Sequence, residues 1–402
     1  MTKTKVSIVK TNPKPDYAAI RAAVEKALQL IGGEDELIKP GKTVLLNPSW
    51  VAPPTEPEKG CITQAEVTQA VADIVRGKGA RPIIAESSAV GVDSQKVIEN
   101  SGYRLLREKG YELVDLKRAE TVMIPVPGSK VFPKIESYRL VRDADLIISI
   151  PKMKTHDQTE ITCSIKKLKG LLSDKYKRMM HQEGLFDGVV DLLSAVKPRL
   201  AIVDGIYCQE GVGPVFGRPV EMDLIIAGKD LVAVDTVCGL VMDFRPEEVL
   251  LTQKAAERGM GTANPEEIEI TGEALEKVRR RFLRSTEDNP VKVEGFSLIF
   301  GGITCTGCRN TVMSALVDMR NADQLMYLPG VTVVTGDPEV PPFVPSDSLV
   351  TVGKCVPEWK RGKFHVKGCP PNNSYVVQAI IGERAKAKRM YADKDLSSTE
   401  EK

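Results

Sequence analysis

The chain has 402 residues, about twice an ordinary domain, and 42% of them are hydrophobic, enough for a sizeable buried core. Its 56 basic and 54 acidic residues nearly cancel, leaving a formal charge of +2, so no overall field draws it to nucleic acid or to an anionic membrane. Its longest apolar runs, such as Leu146 to Ile150 and Leu224 to Ala227, fall far short of the roughly 20 residues that cross a bilayer, and no membrane insertion is expected.

Met1 to Lys10 lacks the apolar core of a secretory signal and runs straight into a strand-like segment, which predicts a cytoplasmic protein. In a reducing compartment eight cysteines point to metal binding where they cluster, and not to a disulfide framework. Through the first 285 residues, short β-branched runs alternate with helical patterns, the signature of βαβ units. Strands are predicted at Lys5 to Val9, Thr43 to Asn47, Pro82 to Ala85, Glu112 to Asp115, Leu146 to Ile150, Leu200 to Val203, Leu224 to Ala227 and Ile268 to Thr271. The fold class is therefore α/β, a mainly parallel doubly wound sheet in a large N-terminal domain. Between the strands, a helix over Thr63 to Gly79 reads as opened by a Thr63/Glu66 capping box, with Val67, Ala70, Val71, Ile74 and Val75 as its apolar stripe. A second helix is expected from Asp93 to Lys109. The proline-rich stretch Pro48 to Gly60 reads as a surface loop.

After the strand ending at Ile150 comes a loop with Lys154, His156, Thr159, Thr162, Lys166, Lys167, Lys169 and Gly170. Cations, hydroxyls and one of only three histidines at a strand end suit an anionic small molecule, carboxylate or phosphate. On a helix Lys166 and Lys169 share a face while Lys167 points elsewhere, so at least one of these lysines is expected on the surface. A second loop, Asp204 to Gly217, follows the strand ending at Val203. Its glycines allow close backbone approach, and Asp204 and Glu210 are candidate acids, bases or hard-cation ligands. Neither a Gly-x-Gly-x-x-Gly fingerprint nor a Walker loop is present, so no dinucleotide or ATP is indicated. A basic helix ending in Arg279, Arg280, Arg281 and Arg284 reads first as a solvated face and second as a docking surface for a partner. It is followed by a break that places a domain boundary near residue 288.

The order Pro151-x-x-Lys154-x-His156, Thr159, Thr162, Lys166, Gly170, then Asp204-Gly205, Glu210-Gly-x-Gly213-Pro214, then Ala227-Gly-x-Asp230-x-x-Ala233-x-Asp235 resembles the family numbered 362 among domains of unknown function, over roughly residues 40 to 245. The chain departs from that pattern at Lys167, where the family usually has Asn. The resemblance implies an added iron–sulfur segment, as in many members, but no reaction.

Residues 289–382 are expected to form a smaller α/β domain, and 383–402 a charged tail. Strands at Phe296 to Phe300, Val331 to Thr335 and Ser348 to Val352, with helices from Arg309 to Met319 and from near Asn372, place four cysteines. Cys305 and Cys308 follow one strand, Cys355 follows another, and Cys369 precedes a helix. One edge of a parallel sheet collects strand carboxyl ends and helix amino ends, so the four sulfurs can converge as a metal site. One Cys-x-x-Cys pair with two distant single cysteines favours an iron–sulfur cluster, read as [4Fe–4S], over zinc, whose ribbons pair two such knuckles, and over separate thiols. The leading expectation is an oxidoreductase or electron-transfer component of anaerobic metabolism, with the cluster exchanging electrons at the pocket. A non-redox lyase or transferase with a structural metal, and an assembly or binding factor for another metalloenzyme, stand beside it. A redox partner protein and a homo-oligomer are both compatible with this reading.

Overall fold

The structure, a computed structural model, describes residues 3–285, 287, 291–302, 304–339 and 343–382. The boundary expected near residue 288 and the charged tail lie outside the described residues. A ten-stranded sheet dominates. Its strands are β1 (Thr4–Lys10), β2 (Thr43–Pro48), β3 (Arg81–Glu86) and β4 (Leu113–Asp115), then, after a separate hairpin of β5 (Thr121–Pro125) and β6 (Lys134–Tyr138), β7 (Leu146–Ile150), β8 (Lys152–His156), β9 (Glu160–Thr162), β10 (Leu200–Glu210), β11 (Arg218–Gly228) and β12 (Ile268–Gly272).

The order β12-β1-β11-β10-β7-β2-β3-β4 places five parallel strands, β10 to β4, side by side. Alternate residues on each strand serve opposite faces. Leu45, Ile147 and Val203 enter one apolar core with the Leu185–Val196 and Leu231–Val241 helices, whereas Leu46, Ile148 and Ile202 enter another with the Tyr17–Ile31 and Ala65–Gly77 helices. Burial on both faces explains why these strands read as apolar runs and not as alternating ones. The chain runs outward from β2 through β3 to β4, then returns to the other side of β2 as β7. The order therefore reverses between β2 and β7, where open α/β sheets hold ligands outside the strands' carboxyl ends.

The smaller domain is a parallel sheet in chain order: β13 (Ser297–Phe300), β14 (Thr332–Thr335), β15 (Leu349–Val352) and β16 (Phe364–Val366). The Thr306–Asn321 and Asn373–Ile381 helices pack on it, and Val312, Leu316, Val333, Val350, Val377 and Ile381 are among its core residues. The mixed α/β class with a mostly parallel sheet is thus as the sequence predicted.

Several local expectations are corrected. Thr63 does not cap a helix: its hydroxyl donates to the Ile150 carbonyl and accepts from the Ser49 amide, and the helix starts at Ala65. The Asp93 to Lys109 helix is two short helices, Ser94–Glu99 and Tyr103–Glu108. The proline-rich loop carries Trp50 into the core, fully buried and edge-on to Tyr103 at 4.9 Å between ring centroids. The basic segment is helical only over Leu275–Val278. Arg284 instead donates to the carbonyls of Met242, Asp243 and Phe282, and the segment is held along its neighbours by its main chain and by buried Phe282. Both predicted loops of the large domain are hairpins, β8–β9 and β10–β11.

Candidate functional site

β8 leaves the end of β7 through Pro151 and is buried along its whole length. Met153 goes to the core, and the alternate positions Lys152, Lys154 and His156 carry the polar chemistry. Lys152 Nζ lies 2.5 Å from Asp204 Oδ2, with neither side chain exposed. Asp204 also accepts from the amides of Gln64 (2.7 Å) and Ile206 (3.2 Å). It therefore ties together β8, β10 and the start of the Ala65–Gly77 helix. Lys154 donates to the carbonyls of Cys61 (2.6 Å) and Pro214 (3.0 Å). Burial, with the charges of Lys152, Lys166 and Lys167 nearby, lowers its ammonium to about 7.

Three lysines follow on the short Ser164–Lys167 helix and the 3-10 turn after it. Asp235, fully inside the protein, accepts from the amides of Ser164 (2.7 Å) and Ile165 (3.0 Å) and from the Ser164 hydroxyl (2.5 Å). It fixes the start of that turn as a capping carboxylate does. Lys166 Nζ is 2.9 Å from His156 Nε2, and Lys169 Nζ is 2.8 Å from His181 Nε2. Lys167 pairs with Glu86 and donates to Asn47 Oδ1 at 2.7 Å. The expected surface lysine is absent among these three, because Lys167 turns into the protein to meet a buried carboxylate at the end of β3. Gly170 is required there: a Cβ would stand 2.0 Å from Glu86 Oε1.

Burial lowers His156 to about 4 and Lys166 to about 8, and holds His181 and Lys169 well below their usual values. Two proton arrangements fit the same heavy atoms at His156. With Lys166 charged, it donates to Nε2, and Nδ1–H meets Asp157 Oδ1 at 2.8 Å. With Lys166 neutral, Nε2–H donates to it and Nδ1 accepts from the Gln158 amide at 2.9 Å. The pair can therefore take up or release a proton near neutral pH without moving its atoms.

These groups border a cavity of about 570 Å³ at the carboxyl edge of the sheet. Lys154, Lys166, Lys167, Lys169, Lys177 and Arg178 line it, against the acids Glu86, Asp157 and Asp318. Of the predicted site residues, Lys154, His156 and Lys166 meet at this cavity. Asp204 and Glu210 do not line it: the first is the partner of Lys152, and the second accepts from the Leu283 amide at 3.1 Å. Sequence reasoning missed Lys177, Arg178 and His181, whose signal was their clustering in one helix, Asp174–Glu183. It also missed Ser314, Asp318 and Asn372 to Tyr375, the wall supplied by the smaller domain. That wall is held in place by Gln158 Nε2, which donates to Thr311 Oγ1 (2.8 Å) and the Pro371 carbonyl (3.1 Å).

The four predicted cysteines stand at the carboxyl edge of the smaller sheet, each free of disulfide. Cys305 precedes the first turn of the Thr306–Asn321 helix. The Cys308 thiol, and then the amides of Cys308 and Gly307, lower Cys305 to about 6, while Cys308 is pushed up, first by Cys305 and then by burial. Cys355 follows β15, and Cys369 follows β16, a strand the sequence reading did not anticipate. The Lys354 amide donates to the Gly368 carbonyl at 2.9 Å, which joins these two segments. Among the described residues, no three His, Cys, Asp or Glu side chains stand as a metal ion would require. The donor set still suits a thiolate-ligated group: four free thiols on one edge, amides aimed at Cys305, and Gly353 so close to Cys308 that a Cβ would be 2.8 Å from its sulfur. Cys238 lies in the core, as expected, and Cys61, Cys163 and Cys208 are buried as well.

A family model described as a domain of unknown function (DUF362) matches residues 44–239. The thylakoid-associated protein sll1697 of Synechocystis sp. (strain ATCC 27184 / PCC 6803 / Kazusa) is 32% identical over 263 residues, 64% of this chain and 79% of that protein. Among solved structures, the lactate racemase apoprotein from Thermoanaerobacterium thermosaccharolyticum aligns with 95% of this chain and 91% of its own, at a TM-score of 0.40 and 11% identity. Among the described residues no helix is long and apolar enough to cross a membrane.

Removing the Asp204 carboxylate would leave Lys152 charged and unpaired inside the protein. Asp204→Ala should therefore lose about 3–5 kcal/mol of stability in denaturant titration. The double replacement Lys152→Met with Asp204→Leu should recover much of that loss. A single-mutant loss under about 1 kcal/mol would show that the pair is not the tie described here.

Proposed function

We propose that this chain, which belongs to the DUF362 family, is an iron–sulfur redox protein that binds an anionic small molecule in the cavity between its two domains. The observation that carries the reading is the composition of that cavity. Five lysines and Arg178 face three acids there, and the opposite wall belongs to the domain that holds the cysteines. Lysines kept partly neutral by burial gain their charge when an anion arrives, so the cavity is poised to take up a ligand together with protons. The Lys166–His156 pair would hold or deliver a proton at the ligand.

Cys305, Cys308, Cys355 and Cys369 would hold the cluster, which when bound supplies or accepts one electron at a time. The chain's own residues bind and orient the anion, keep it out of bulk water and manage its proton. A second reading is favoured by the same Lys166–His156 geometry. In it the cavity carries out proton transfer alone, and the cysteine domain only completes its wall.

Anaerobically purified protein should show a broad visible absorption bleached by dithionite, with iron and acid-labile sulfide in equal amounts. Alanine at Cys305, Cys308, Cys355 or Cys369 should abolish it, whereas Cys238→Ala should not. Colourless protein with stoichiometric zinc would overturn the redox reading and leave the proton-transfer one.

Anion binding should also depend on pH in a stated direction. Lys154 and Lys166, lowered to about 7 and about 8, are cationic below those values and neutral above them. The thermal stabilisation given by inorganic phosphate or a small carboxylate should therefore be large at pH 6.5 and fall as pH rises through 7 to 9. Each lysine that must be charged weakens affinity by up to about tenfold per pH unit above its pKa. Lys154→Ala and His156→Ala should remove most of the effect, read for each variant against its own unliganded melting temperature. A flat pH profile would count against these cations as the binding groups.

A further inference from the structure

The wall supplied by the smaller domain differs in chemistry from the lysine wall. On the Thr306–Asn321 helix, Ser314 and Asp318 are four residues apart and share a face, and both border the cavity. Asn373, in the first turn of the Asn373–Ile381 helix, donates from Nδ2 to Ser314 Oγ at 3.0 Å and to Asp318 Oδ2 at 2.6 Å. That amide fixes one carboxylate oxygen. The other, Oδ1, is buried and has no hydrogen-bond partner among the described residues, in a side chain that is only 9% exposed. Leaving a buried acceptor unmatched is unfavourable, and native proteins rarely tolerate it without a reason. Asp157, equally buried, borders the same space and adds its charge. Burial first, and then that neighbour, raise Asp318 to about 7.

We infer that Asp318 is a specificity-determining residue for a two-ended ligand. Such a molecule carries a carboxylate or phosphate, held by the lysines, and a hydrogen-bond donor, a hydroxyl or protonated amine, which it gives to Asp318 Oδ1. The inference rests on the anion-binding reading of the cavity and adds the chemistry of the ligand's other end. A ligand with an anion alone leaves Oδ1 without a donor. One with a donor at the right separation satisfies both walls at once. Asn373 acts on the ligand through the carboxylate it orients, and Ser314 only accepts the other hydrogen of that amide.

The test is calorimetric titration of the full-length protein with plain, ω-hydroxy and ω-amino carboxylates of three to six carbons. At one chain length the ω-substituted acid should bind at least about tenfold more tightly than the plain acid, as expected for a donor meeting an unmatched buried carboxylate. Asp318→Ala should bring it to the level of the plain acid while leaving the plain acid's own affinity within about twofold. Asp318→Asn keeps an acceptor but no charge, so it should lose the preference for the amine and retain part of that for the hydroxyl. Ser314→Ala should keep both preferences. Equal binding of plain and ω-substituted acids to the unaltered protein, or an undiminished preference in Asp318→Ala, overturns the inference while the anion-binding reading stands. If none of these acids binds, both fall together.

Discussion

Lys152 and Asp204 meet 2.5 Å apart with no exposure of either side chain, at the point where β8 turns off β7 and lies along β10. Charges removed from water in this way are favourable only with close pairing and further hydrogen bonds, and Asp204 has both. The position of β8 follows from that requirement. Lys154 and His156 lie two and four residues beyond Lys152 on the same strand, so their direction is set by the pair. The lysine-bearing turn is then placed by Asp235 on one side and by the Lys167 to Glu86 contact on the other.

The lysine wall gathers like charges at a cost that its surroundings distribute unevenly. Lys167 has a carboxylate partner and Lys177 has Asp174 and three oxygens of Ser87 and Ser88. Lys154 has only carbonyls, and Lys166 and Lys169 face imidazoles. The first two are anchored cations that shape the cavity. Burial lowers all five, Lys177 to about 8 just as Lys166, but the other three lack a carboxylate partner, so an arriving anion changes their proton count most.

Much of this was legible in the sequence, for physical reasons that differ from part to part. Strands buried on both faces read as unbroken apolar runs, so β1, β2, β3 and β7 stood out, and β7 was placed to the residue. β8 was not legible: Lys-Met-Lys-Thr-His has too few apolar residues to read as a strand buried along its whole length, and only the buried counter-ion and carbonyls make it one. The same cause hid the roles of Asp204 and Lys167. Asp204 looked like a site acid at a loop, and Lys167 looked like a surface charge, because a buried ion pair joins residues with no local signal of each other. The chemistry-bearing positions Lys154, His156 and Lys166 were visible because cations and a rare histidine followed a strand end. Asp318 was not visible, since its importance depends on docking between elements some 160 residues apart in sequence from β8.

The main chain of Cys369 ties the two parts of the molecule together. Its carbonyl accepts from the Leu185 amide at 2.7 Å, and its amide donates to the His181 carbonyl at 3.1 Å. The residue whose sulfur faces the other thiols is thus stitched by its main chain to the corner that carries His181, which in turn meets Lys169 at the cavity. Thermodynamic linkage makes such an arrangement reciprocal: whatever factor a change at that sulfur imposes on the affinity of the cavity, an occupant of the cavity imposes on the sulfur's own equilibrium. Along this path the sulfur-bearing residue and the cavity are separated by a few hydrogen bonds.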